Sequence, residues 1–256
     1  MKKSIGFVGG GRVASIILGG WSRAGIMPDK VLVYDVNADV VSRLAARYPQ
    51  VEASADIAVA AAQDIVFLAL HPPVVPDVLP QLTPNLQSNA VLVSLAPKFT
   101  ISKLSQMLGG FSRIARMIPN VPSIVGRGYN PVAFGPEMAG EKDVLRQILE
   151  PLGDCPEVAE EHLEVYAVVS AMSLTWLWPQ LYQLNDLAQA NGISSDMALA
   201  ALDGMLSGAV AAMRESGLSS ERVQDLIPVK PVAAEVEAFM SAAAPKVSGL
   251  LSKLRP

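Results

Sequence analysis

Gly9, Gly10 and Gly11 stand directly behind the strand-forming run Ile5-Gly-Phe-Val8, and Asp35 closes a second such run, Val31-Leu-Val-Tyr34. The pattern Gly9-x-Gly11-x-x-Ala14 is the dinucleotide fingerprint in its Ala-ending form. Gly9 permits a tight turn out of the strand. Gly11 lets a diphosphate approach the backbone, and Ala14 keeps the following helix close to the sheet. The start of that helix, at Arg12 and Val13, offers free N–H groups and the positive end of a dipole to phosphates. Asp35 falls about 20 residues past the fingerprint, where an acid takes the ribose hydroxyls. Strand before, helix behind and acid at this distance together point to nucleotide binding, which the short motif alone would not. Asp35 suits both ribose hydroxyls of NAD and opposes the 2′-phosphate of NADP, whereas Arg12 can reach a phosphate; NAD is preferred and NADP stays open.

Two more residues could do chemistry at strand ends. His71 closes the apolar run Asp64-Ile-Val-Phe-Leu-Ala-Leu70 and precedes Pro72. An imidazole titrates near neutral pH, so a cofactor contact, a proton donor or simple bonding of loop carbonyls are all open to it. Asn120 lies between Pro119 and Val121, where its amide can orient a nicotinamide or a substrate carbonyl, or close a turn. Lys98 and Lys230 are either cations for an acidic substrate or surface lysines. Trp176, Trp178 and Tyr182 recur at helical spacing, as an interface core or an aromatic wall. Asp154, Glu160, Glu161 and His162 read as a solvated helix start. No Ser/His/Asp or Cys/His grouping for nucleophilic catalysis stands out, and no metal site is expected.

The elements that must position these residues alternate. Strands are expected over Ile5–Val8, Val31–Tyr34, Asp64–Leu70, Ala90–Leu95, Arg113–Ile118 and Tyr129–Phe134. Helices are expected behind the glycines and over Asp39–Tyr48, Ala53–Ala62, Pro76–Leu82, Ile101–Leu108 and Glu137–Leu149. This order predicts an α/β domain, a doubly wound and mostly parallel sheet, with ligands beyond the carboxyl ends of the strands. Gly9, Gly10, Gly11, Arg12, Val13, Asp35, Leu70, His71, Pro72 and Ala96 collect there as cofactor-binding residues. His71 and Asn120 are the catalytic candidates. Past Asp154 only helices are expected, Glu161–Gln189, Ser195–Ser216, Ser219–Leu226 and Val232–Leu254. The predicted domains are therefore residues 1–156, nucleotide-binding, and 157–256, all-helical.

Composition narrows the class. The 256 residues are 51% hydrophobic and 17% charged, with a net charge of −4. A sizeable core follows, and a nucleic-acid surface does not. Cys155 is the one cysteine, which excludes an internal disulfide and a thiolate metal site and fits a reducing, cytoplasmic setting. Met1-Lys2-Lys3 followed by apolar residues imitates a secretory leader, but the glycines and Arg12 interrupt it. The uncharged stretch Val165–Asn185 is long enough to span a membrane, yet its Ser, Thr, Gln, Asn and Pro residues favour burial in protein. The small residues of 198–212 allow close helix packing. So much apolar surface on about 100 residues predicts a homodimer through the C-terminal helices.

The whole chain resembles pyrroline-5-carboxylate reductase and the broader group that shares its nucleotide domain with deazaflavin-dependent NADP oxidoreductases. The matching segments run in order: Ile5–Ala14, Asp64–Pro72, Ser94-Leu-Ala-Pro-Lys-Phe-Thr-Ile101 and Arg116-Met-Ile-Pro-Asn-Val-Pro-Ser-Ile-Val-Gly-Arg-Gly128, with Glu160-Glu161-His162-Leu163 opening the long helix. The resemblance implies a Rossmann-type N-terminal domain, an all-α dimerisation domain, and reduction by NADP or NAD of a C=N or C=O bond in a small substrate. The departures are specific. The family's Ser-Gly-Ser-Gly-Pro-Ala-Tyr is here Ser170-Ala-Met-Ser-Leu-Thr-Trp176. Its Ser-Pro-Gly-Gly-Thr-Thr corresponds to Val229-Lys-Pro-Val-Ala-Ala234, its Pro-Asn-Thr-Pro threonine is Val121, and His71 stands where a lysine is usual. The cofactor half is kept and the substrate half rewritten, so a different substrate is expected. The alternatives are a true pyrroline-5-carboxylate reductase with a divergent pocket, hydride exchange with a deazaflavin, and a non-catalytic nucleotide-binding dimer.

Overall fold

The computed structural model describes residues 3–138 and 140–255. Met1 and Lys2, the start of the leader-like pattern, and Ala139, inside the helix expected over Glu137–Leu149, lie outside them.

The chain begins β1 (Ile5–Val8), α1 (Arg12–Ala24), β2 (Val31–Tyr34), α2 (Ala38–Arg47), β3 (Val51–Ala53), α3 (Ile57–Ala61) and β4 (Ile65–Leu68). It continues α4 (Val75–Leu82), β5 (Val91–Ser94), α5 (Ile101–Met107), β6 (Ile114–Met117), β7 (Gly128–Tyr129), β8 (Val132–Phe134), α6 (Lys142–Leu149) and β9 (Gly153–Asp154). Seven strands form one sheet in the order β3-β2-β1-β4-β5-β6-β8, parallel except for β8, which runs antiparallel to β6. Such an order is what right-handed crossovers alternating to both faces produce. β1, β4, β5 and β6 are buried along their whole length, as expected of central parallel strands, and this burial takes in Ser94 on β5 and Arg116 on β6. One face packs against α1, α2 and α6, where Phe7, Trp21 and Phe67 stack and Trp21 Nε1 donates to the carbonyl of Ile148. The other face packs against α3, α4 and α5.

Three sequence expectations are corrected. The helix expected from Ala53 begins at Ile57, because Asp56 caps it and 51–53 pair as an edge strand with β2. The strand expected over Tyr129–Phe134 is broken at Asn130-Pro131. Gly128–Tyr129 pairs with β9, and Val132–Phe134 returns to β6. The helix expected over Glu161–Gln189 is not uniform. It opens as α7 (Leu163–Tyr166), widens to a π-helical turn over Ala167–Met172, and resumes as α8 (Leu174–Ala190). Side chains compete for its backbone there. Asn120 Nδ2 donates to the carbonyl of Ser170 at 2.9 Å, and Ser170 Oγ donates to that of Tyr166 at 2.8 Å.

The chain divides into two compact units. The first runs to Ala171 and includes the last residues from Leu251, and the second is Met172–Leu250. The second contains α8, α9 (Ser195–Glu215), α10 (Ser220–Asp225) and most of α11 (Ala233–Leu254). Its helices carry many exposed apolar side chains, among them Tyr182, Leu187, Met197, Val210 and Met213. By length and composition α9 could cross a membrane. The uncharged 165–185 stretch forms no continuous helix.

Candidate active site

The glycine loop is built from contacts on both sides. Gly9 has φ +102°, and a Cβ there would sit 2.4 Å from the carbonyl oxygen of Ala69, so only glycine fits. Its N–H donates to the carbonyl of Tyr34 at 2.8 Å. Gly10 packs closely over Val33, Val40 and Leu44. Gly11 differs, because nothing lies within 4 Å of where its Cβ would be. It caps α1, whose first turn holds no acid and whose leading N–H groups have no partner inside the helix. Open space, unshared donors and the dipole end coincide at Gly11, Arg12 and Val13, which fits a diphosphate. Arg12 is exposed and Ala14 is fully buried.

Asp35 joins this loop directly. Its Oδ2 accepts the N–H of Gly10 at 2.8 Å and its Oδ1 accepts that of Asn37 at 2.9 Å. Asn37 in turn caps α2 through the N–H of Asp39. The carboxylate is thus held at the rim, with lone pairs remaining on each oxygen for sugar hydroxyls.

The other predicted residues occupy the same carboxyl edge of the sheet. Leu70 is half-buried with its side chain against Gly9. His71 is exposed, and its carbonyl accepts the N–H of Val74 as the chain turns through Pro72. Ala96 is buried just past β5, its N–H directed at Ser94 Oγ. Lys98 follows in the left-handed region, φ +75°, alone among the described non-glycine residues. Asn120 follows β6 and is nearly buried. Its side-chain oxygen accepts the N–H of Tyr129 at 3.2 Å, while its Nδ2 holds Ser170. The geometry therefore makes Asn120 a brace between the 120–130 loop and the π turn.

Several contributors were not read from the sequence. Gly19 and Gly20 lie inside α1, where a Cβ would strike the Ile124 side chain and the carbonyl of Ser123. They let the turn after Asn120 rest on α1, and paired glycines in a helix are the signal that flags such contact. Arg116 and Glu164 are almost wholly buried and paired, and Arg116 Nη1 also reaches Glu160 Oε1 at 2.9 Å. Glu160 accepts the N–H of Ile101 as well, so it ties helix to sheet; it is not part of a solvated helix start. Among the described residues no group of acids, cysteines and histidines could hold a metal ion.

Residues 4–98 match the family described as NADP oxidoreductase, coenzyme F420-dependent. Pyrroline-5-carboxylate reductase of Escherichia coli (strain K12) is 28% identical over 230 residues, covering 89% of this chain and 85% of that one. Pyrroline-5-carboxylate reductase 3 of Bos taurus is 31% identical over 199 residues, 77% of this chain and 64% of that one. Over most of its length the chain is thus similar to pyrroline-5-carboxylate reductases. The fold agrees. The pyrroline carboxylate reductase of Plasmodium falciparum, solved with NADP bound, superposes with a TM-score of 0.76 at 20% identity, covering 99% of this chain and 95% of that one.

Proposed function

We propose that the protein belongs with the pyrroline-5-carboxylate reductases it resembles and is an NAD(P)H-dependent reductase that delivers a hydride to the carbon of a C=N or C=O bond in a small substrate. The observation that carries the reading is the open glycine loop with Asp35 bonded to it. Gly9, Gly10, Gly11, Arg12 and Val13 hold the diphosphate, and Asp35 holds the sugar. The bound nicotinamide supplies the hydride. The chain fixes distance and excludes water, which is where a reductase of this kind gains its rate. Leu70, His71, Pro72 and Ala96 flank the ring, and Asn120 acts as a positioning residue. The Plasmodium falciparum relative carries NADP in its structure. In this chain the charge of Asp35 opposes a 2′-phosphate and favours NAD.

The test is steady-state oxidation of NADH and NADPH with cyclic imines, pyrroline-5-carboxylate among them, and 2-keto acids. Turnover with one class supports the reading. Tight nucleotide binding without turnover would replace it with a non-catalytic nucleotide-binding dimer, which the rewritten Ser170–Trp176 segment favours.

The same reading makes the protein a cytoplasmic homodimer through its C-terminal helices. Tyr182, Leu187, Met197, Val210 and Met213 are exposed on helices that otherwise have little core. Asp196, Asp203 and Arg214 on α9 favour a protein partner over lipid for that helix. Cys155 is a free thiol, as a reducing compartment allows. Sedimentation of a monomer at micromolar concentration would remove the dimer.

A further inference from the structure

Two tyrosines meet beside Asn120. Tyr129 is placed by its N–H, which donates to Asn120 Oδ1. Tyr166 lies one turn before Ser170, which Asn120 grips by its carbonyl, and Ser170 Oγ bonds back to the carbonyl of Tyr166. The two rings stand 6.0 Å apart between centroids with planes tilted by 38°, which makes the two phenols close neighbours. Tyr129 is 39% exposed and Tyr166 half-buried. The pair therefore joins a more exposed tyrosine to a less exposed one, at the carboxyl end of β6 on the edge that holds the glycine loop.

We propose that Tyr166, resupplied by Tyr129, is the proton donor of the reduction. This rests on the reductase reading. A hydride, one proton with two electrons, reaches the substrate carbon from the reduced nicotinamide, which is oxidised. The π electron pair of the C=N or C=O bond moves onto nitrogen or oxygen. That atom takes the Oη proton of Tyr166. Tyr166 is reprotonated by the neighbouring Tyr129, and water refills Tyr129. Burial pushes the Tyr129 hydroxyl above its ordinary range, and the neighbouring Tyr166 and Asp154 act in the same direction. Tyr129 therefore stays protonated at neutral pH, ready to resupply its neighbour. A histidine donor would be lost as pH rises through about 6.5.

The experiment compares the full-length protein with Tyr166→Phe, Tyr129→Phe and His71→Asn, using 1-pyrroline as probe. Three readouts are taken: kcat against pH, the dissociation constant for reduced cofactor, and alkaline titration of phenolate absorbance. The expected result is a wild-type kcat level from pH 6 to beyond 9. Tyr166→Phe should lower kcat on the order of 100-fold with cofactor affinity kept. Tyr129→Phe should lower it less, and Tyr166→Phe should return the late-titrating tyrosine toward its ordinary range. Full kcat in both phenylalanine variants, or a wild-type limb near pH 6.5 that His71→Asn removes, overturns the assignment alone. Should Tyr166→Phe fail to fold, unchanged kcat in Tyr129→Phe overturns the relay. A wild-type protein that oxidises no cofactor with 1-pyrroline or with any of the cyclic imines and 2-keto acids above overturns the reductase reading and this proposal with it.

Discussion

The backbone N–H of Gly10 donates to Oδ2 of Asp35 over 2.8 Å, so the acid that meets the sugar also fixes the loop that meets the diphosphate. Asp35→Ser should separate these roles. Removing the carboxylate leaves the N–H groups of Gly10 and Asn37 without their acceptor, at a cost of about 1–2 kcal/mol in stability. It also removes the charge that opposes a 2′-phosphate. The ratio of NADPH to NADH affinity should rise at least about tenfold, read by fluorescence titration, beside a lowered Tm.

The glycines divide into one that the fold needs and one that the ligand needs. Gly9→Ala meets the Ala69 carbonyl at a backbone angle that side chains rarely adopt, and should destabilise by about 2–4 kcal/mol. Gly11→Ala meets nothing within 4 Å in the protein. Its Tm should stay close to that of the wild type while nucleotide affinity falls by about tenfold or more, because the methyl occupies the space left for the diphosphate. Thermal melts with and without NADH check both.

Glu164→Gln should be among the most damaging conservative changes. Arg116 is buried and its Nε already lacks a hydrogen-bond partner, so Glu164 and the partly exposed Glu160 are its compensation. Breaking a buried pair from one side costs about 3–5 kcal/mol. Urea unfolding followed by circular dichroism measures it, with Glu161→Gln, on an exposed side chain, as the control.

Asp64 should tie stability to acid pH. The N–H and hydroxyl of Ser4 both donate to its Oδ2 at 2.9 Å, with Lys3 at 3.6 Å from Oδ1. The Ser4 backbone bond leads in lowering its pKa below the ordinary carboxylate value, partial burial opposes this, and the Ser4 hydroxyl and Lys3 add to it. A carboxyl depressed in the folded state contributes stability above its unfolded value, near pH 4, and loses it as pH falls through the lower folded value. Asp64→Asn should therefore melt below the wild type at pH 7, with the gap closing below about pH 4. A constant gap would refute the linkage.

Much of the first unit was legible in the chain because its signals are local. The apolar runs before Gly9, Asp35 and His71 are long enough to be strands, and each gives way to a glycine turn, an acid or a proline pair that disfavours continuing one. The three-residue edge strand at 51–53 carried no periodicity, and the break at Asn130-Pro131 depends on a pairing with Gly153–Asp154 that is distant in sequence. The π turn at 167–172 was hidden for the same reason, since the side chain competing for the Ser170 carbonyl belongs to Asn120.

By itself the sequence determined the order of the central strands and their helices, the glycine turn and the acid about 20 residues beyond it, because steric freedom and apolar periodicity act between near neighbours. Tertiary structure alone decided which groups meet. It put Asp35 on Gly10, Arg116 on Glu164, and Tyr129 beside Tyr166 through Asn120. Those partners lie 25 to 48 residues apart in the chain, except for Tyr129 and Asn120, which a loop bends together. Contacts at such separations follow from how the sheet is wound and packed, and no local pattern records them.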